Sequence, residues 1–97
     1  MKKAQQTEFN RDTIKLTAKD NDWVLSDHDK NTGRLRFAKD NYTIEAYPTT
    51  LSLSVQEKGC TPRWFKKAAW YTISRLFYCP WISTAEAMKV GPITKNP

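Results

Sequence analysis

The stretch Arg34-Leu35-Arg36-Phe37-Ala38-Lys39-Asp40-Asn41-Tyr42-Thr43-Ile44-Glu45-Ala46 decides the fold class. Polar residues alternate with Leu35 and Phe37, then with Tyr42, Ile44 and Ala46, and the turn-forming trio Lys39-Asp40-Asn41 divides the two runs. Period-two alternation puts successive side chains on opposite faces of a strand, so the stretch reads as two antiparallel strands with one buried face and one wet face. On the N-terminal side, Asp27-His28-Asp29-Lys30-Asn31-Thr32-Gly33 is rich in residues that tolerate turn geometry, with Gly33 placed for positive φ. That predicts a hairpin back to a strand at Trp23-Val24-Leu25-Ser26. Further back, Ile14, Leu16 and Ala18 alternate with Thr13, Lys15 and Thr17, which predicts another strand ending at Lys19-Asp20-Asn21-Asp22. Beyond Pro48, the alternating Leu51-Ser52-Leu53-Ser54-Val55 completes a meander of four or five strands.

A sheet with one apolar face needs a cover. Thr61-Pro62 reads as a helix N-cap followed by proline at the first helical position, where its missing N–H is not needed. A helix from there to about Cys79, stopped by Pro80, would gather Phe65, Ala68, Ala69, Leu76 and Cys79 on one side as its core face. Ser83-Thr84-Ala85-Glu86 has capping-box spacing, and Gly91-Pro92 supplies a stop, so a two-turn helix is expected over residues 84–90. The expected fold is α+β in two layers: an antiparallel four- to five-stranded β-meander packed on one long C-terminal helix plus a short helix. The expected organisation is a loosely ordered segment over 1–12, a single domain over 13–91 and a tail over 92–97.

Composition bounds the function. At 97 residues and 39% apolar content the chain holds one core and lacks the signature of disorder. The net charge is +6, unevenly placed: residues 1–59 carry ten Lys/Arg against nine Asp/Glu, and residues 60–97 carry six against one. A basic excess gathered at one end suits an anionic partner: an acidic protein surface, a nucleic acid or an anionic lipid. Met1-Lys2-Lys3 leads into polar residues and no long apolar window follows, so neither secretion nor membrane spanning is expected. Cys60 and Cys79 would bracket the predicted helix about 27 Å apart. Bridging needs Cα atoms within about 7 Å, so both are expected as free thiols, which suits a cytoplasmic setting.

No set of residues suggests catalysis, a cofactor or a metal. His28 is the only histidine, lies in the predicted turn and reads as solvent-facing. Asp27, Asp29 and Asn31 match the first ligand positions of a calcium loop, but Thr32 stands where its glycine is required and Ala38 where its glutamate is required. A hairpin turn explains those residues without an ion. Two widely spaced cysteines and one distant histidine do not make a zinc site.

Two candidate binding surfaces remain. The segment from Trp64 to Trp81 holds seven of the twelve aromatic residues, and on a helical wheel Arg63, Lys66, Lys67, Trp70 and Ser74 fall together opposite the core face. Tryptophan and arginine are enriched among interface hot spots, and an exposed indole also stacks on unpaired bases. The structural alternative covers Trp70 with Trp81, Ile82, Met88 and Val90, leaving the lysines to solvate the rim, while Trp64, Tyr71 and Arg75 pack together along one flank. The second surface is the wet face of the sheet, with Lys15, Arg34, Arg36 and Tyr47, which suits lying in a DNA groove; Glu45 weakens its field. The first-ranked function is a small non-catalytic binding protein that docks its basic-aromatic helix on an acidic protein surface. Its size and lack of a catalytic set suit an inhibitory or accessory protein of a phage or mobile element. Nucleic-acid binding, through that helix or the sheet face, ranks second, and peripheral binding to an anionic membrane third. Pairing of edge strands into a homodimer is left open.

Overall fold

A computed structural model describes residues 10–89. Five strands, β1 (Val24–His28), β2 (Leu35–Lys39), β3 (Tyr42–Tyr47), β4 (Ser52–Glu57) and β5 (Arg63–Phe65), form one antiparallel sheet in the order β1-β2-β3-β4-β5. The hairpin between β1 and β2 forms as expected. Asp29 Oδ1 accepts from the backbone N–H groups of Asn31 (2.9 Å) and Thr32 (3.3 Å), and Gly33, at φ +79, donates its N–H to Asp29 O. Cross-strand pairing puts Leu35 opposite Ala46, Phe37 opposite Ile44, Ile44 opposite Val55 and Leu53 opposite Phe65. All of these side chains lie on the inner face and are buried.

Helices α1 (Arg11–Asp20), α2 (Trp70–Tyr78) and α3 (Thr84–Ala87) complete the fold. They close the inner face with Ile14, Ala18, Ile73, Leu76, Phe77 and Ala87. Phe77 meets Phe37 and Trp23 edge-on, at centroid distances of 5.4 and 5.6 Å, and the Trp23 indole N–H donates to Phe77 O at 2.8 Å. Trp23 thus fills the core and satisfies its one polar atom.

The meander matches the sequence reading and the short helix starts where expected but ends at Ala87, one turn instead of two, while two elements differ. Residues 13–18 are helical, within an α1 that begins at Arg11 and so includes two residues expected to be loose. Ile14 and Ala18 are buried at i,i+4 spacing, whereas Leu16, between them, is 59% exposed. The N-cap explains the outcome: Asn10 Oδ1 accepts from Thr13 N (3.0 Å), and the Thr13 hydroxyl accepts from Asn10 N (3.3 Å). This reciprocal cap satisfies two N–H groups that the first helical turn would otherwise leave unpaired. The second difference is larger. The long helix expected from Thr61 does not exist: Arg63–Phe65 is β5, and α2, of nine residues, begins only at Trp70. Gly59, at φ +85, turns the chain so that Trp64 lies opposite Ser54 on β4, and Pro62 precedes a strand. Of the expected helical core face, Phe65, Ala68 and Leu76 are buried, but Ala69 and Cys79 are only half-buried. Ser83 caps α3 by accepting from Glu86 N at 3.1 Å. The expected stop at Gly91-Pro92, Val90 and the tail over 92–97 lie outside the described residues.

Candidate binding surface

The split between β5 and α2 takes the predicted patch apart. Arg63 is on the inner side of β5, and its guanidinium donates to Pro80 O (2.7 Å) and Ile82 O (2.8 Å), holding down the segment that leaves α2. Trp70 opens α2 and packs half-buried against the core; Ser74, one turn on, is also half-buried. Arg75 is buried on α2, over the Tyr71 ring at 5.5 Å, and donates to the backbone carbonyls of Ala87 and Lys89 at the end of α3. Arg63 and Arg75 therefore spend their charge on backbone oxygens within the fold. Lys66 and Lys67 remain exposed in the loop from β5 to α2, and among the described residues neither has a salt-bridge partner.

The strand reading brings a different tryptophan to the lysines. Side chains alternate along β5, so Arg63 and Phe65 face inward and Trp64 faces outward, where it is 50% exposed. Its ring lies 5.8 Å from that of Tyr47 on β3, tilted by 32°. Two aromatic rings in contact on the outer face of the sheet, with two lysines beginning two residues after Trp64, form a basic-aromatic corner.

Lys67 has φ +51, a left-handed conformation that glycine adopts more easily than any side-chain-bearing residue. The adjacent Ala68 N–H donates to Leu51 O at 2.8 Å, and Leu51 itself has φ +57, so the loop is fixed against the β3–β4 turn.

Farther along the outer face the charges are paired. Asp27, Arg36, Glu45, Ser54 and Trp64 occupy one cross-strand row. Arg36 bonds Glu45 at 2.8 Å and Arg34 bonds Asp27 at 2.6 Å, which raises the Arg34 guanidinium above its ordinary range. The sheet-face set thus keeps Arg34, Arg36 and Tyr47 on one face, with both arginines compensated, but loses Lys15, which lies on α1. Among the described residues, no group of three His, Cys, Asp or Glu side chains could hold a metal ion. Nor is any helix among them long and apolar enough to cross a membrane. Cys60 and Cys79 are free thiols, although no continuous helix separates them.

The signal that could have revealed this corner is the turn pair Lys58-Gly59, a few residues before the β-favouring pair Trp64-Phe65. Compared with family models, with curated proteins and with solved structures, the chain matches none.

Proposed function

We propose that the chain is a small non-catalytic binding protein that docks its β5 corner, Trp64 and Tyr47 with Lys66 and Lys67, on an acidic surface of a protein partner. The observation that carries this reading is the half-exposed Trp64, in tilted contact with Tyr47 and two residues ahead of a pair of lysines that have no carboxylate partner among the described residues. An aromatic anchor that is already ordered loses little side-chain entropy on docking, and unpaired ammonium groups steer an acidic partner toward it. Lys67 adds weight. A lysine in a left-handed position costs about 1 kcal/mol relative to glycine, which fits a residue whose ammonium is used. A domain of this size seated on a functional surface acts by covering it, as an inhibitory protein of a phage or mobile element would.

The paired arginines favour a protein partner over nucleic acid, because a nucleic-acid face needs uncompensated cations along its length. The test is a pull-down from a host lysate, with and without nuclease, using wild type, Trp64→Ala and Lys66→Glu/Lys67→Glu. A nuclease-resistant partner lost in both variants supports the reading. A catch removed by nuclease, with affinity falling on a log–log salt plot at a slope of about −1.4 for two phosphate contacts to a single strand, would replace it with nucleic-acid binding.

A further inference from the structure

Among the described residues both ends of the sheet are edges, and they are built differently. Strand β1 is interrupted by a bulge between Leu25 and Asp27, with the Ser26 hydroxyl bonded to Arg36 O. Bulges of this kind disrupt the ladder and discourage further pairing. Strand β5 pairs with β4 in unbroken register through Arg63, Trp64 and Phe65. Among the described residues no strand lies on its other side, and no backbone group of these three residues bonds outside the sheet. In an antiparallel ladder alternate residues direct N–H and C=O away from the existing neighbour, so this edge presents unpaired backbone groups. Large apolar side chains flank it: Trp64 on the outer face, and Trp81, 64% exposed, on the inner side, where it lines a cleft with Arg63. An edge protected only against aggregation would carry charges and no exposed tryptophan.

We infer that β5 accepts an added strand, an extended acidic segment of the partner that pairs with its free edge. This rests on the reading of the corner as a docking site and specifies how the partner is held. Charge decides the occupant. Lys66 and Lys67 follow the edge strand with no carboxylate among residues 61–69, and Glu57 is the carboxylate lining the cleft with Arg63 and Trp81, so a second copy of this basic chain would bring the two lysine pairs together. A segment carrying Asp or Glu next to the lysines and apolar residues next to the tryptophans complements them. Backbone pairing supplies affinity and the alternate side chains supply selectivity.

The probe is a display library of unstructured peptides panned against the full chain, followed by synthesis of an enriched peptide with N-methylation at each position in turn. Strand addition predicts acidic residues in the enriched peptides and a period of two in the methylation scan. Every second N-methyl group should weaken binding about tenfold, as expected for loss of about 1.4 kcal/mol, with near-neutral positions between. It also predicts that amide exchange within residues 63–65 slows about tenfold on binding. A scan without periodicity, with binding still lost in Lys66→Glu/Lys67→Glu, overturns strand addition and leaves the docking reading standing. Enriched peptides that lack acidic residues and bind that double variant as well as wild type overturn both. A dimer in sedimentation without peptide, with residues 63–65 already protected, assigns the edge to a second copy and overturns the inference.

Discussion

Replacing Arg63 by methionine tests the central correction to the fold. In a continuous helix from Thr61, Arg63 would stand on the solvent side and its replacement would change stability by no more than about 0.5 kcal/mol. In the structure it donates to two backbone carbonyls, at 2.7 and 2.8 Å, and sits 5.8 Å from the Phe65 ring centre. Methionine keeps most of the aliphatic stem and removes the donors. Two hydrogen bonds from a charged group at the lower end of their range come to about 3 kcal/mol. Hydration of the partly buried carbonyls in the variant returns about 1 kcal/mol, since they are not sealed from solvent. The expected loss is about 2 kcal/mol. In urea, with a slope of about 1 kcal/mol per M, the midpoint falls by about 2 M with the slope unchanged. Lys66→Met, as a control, stays within about 0.5 M of wild type. Amide exchange across residues 80–89 should also accelerate in Arg63→Met. A midpoint shift under about 0.4 M with unchanged exchange would refute the clamp.

Four further outcomes follow from particular residues. Leu53→Ala, at a fully buried position, should cost about 2–5 kcal/mol in denaturant unfolding, whereas Leu16→Glu should stay within about 0.5 kcal/mol; a large loss at Leu16 would restore the strand reading of residues 13–18. The backbone N–H groups of Asn31 and Thr32 hold the Asp29 carboxyl below its ordinary value of 3.8. A carboxyl with a depressed folded pKa adds stability above the unfolded value and loses it as pH falls through the folded one, so the advantage of wild type over Asp29→Ala should shrink below about pH 4; a gap that widens there would contradict the assignment. Burial pushes the Cys79 thiol up, partly opposed by nearby Lys39, while Cys60 is exposed. At pH 8 a thiol-reactive disulfide reagent should therefore label Cys60 first, and equal rates in the native protein would count against the burial of Cys79. Lys67→Gly should raise stability by about 1 kcal/mol while weakening partner binding, checked by melting and titration together; a gain in both would remove Lys67 from the surface.

What the sequence disclosed divides by the range of the interactions involved. The meander was legible because Leu35, Phe37, Ile44, Ala46, Leu53 and Val55 report one buried face by alternation, and Gly33 and Asp40-Asn41 mark its turns locally. Residues 13–18 fit both periods, since Ile14 and Ala18 are an even number apart and also one helical turn apart. The deciding residue was Asn10, whose capping bond with Thr13 lies outside the alternating run. Thr61-Pro62 misled for a physical reason: proline at the start of an edge strand is as acceptable as proline at a helix start. The true N-cap of α2 is Ala69, which makes no side-chain capping bond, so the real boundary carries no local mark. The candidate site inherited that error. Lys66 and Lys67 survive as exposed cations, Trp70 gives way to Trp64, and Arg63 turns inward.

The two arginine clamps also govern how this domain can change. Arg63 and Arg75 grip Pro80, Ile82, Ala87 and Lys89 through main-chain oxygens, which every amino acid possesses. The path of residues 80–89 is thereby uncoupled from most of its side chains; among these ten residues, Pro80 and Ala87 are the buried ones. Trp81, Thr84, Ala85, Glu86 and Met88 form a writable surface on a fixed backbone, where new residues can be tried at little cost to folding. A lineage pursuing a changing target, or a designer grafting a new recognition loop, would find its freest positions there, directly beside the β5 edge.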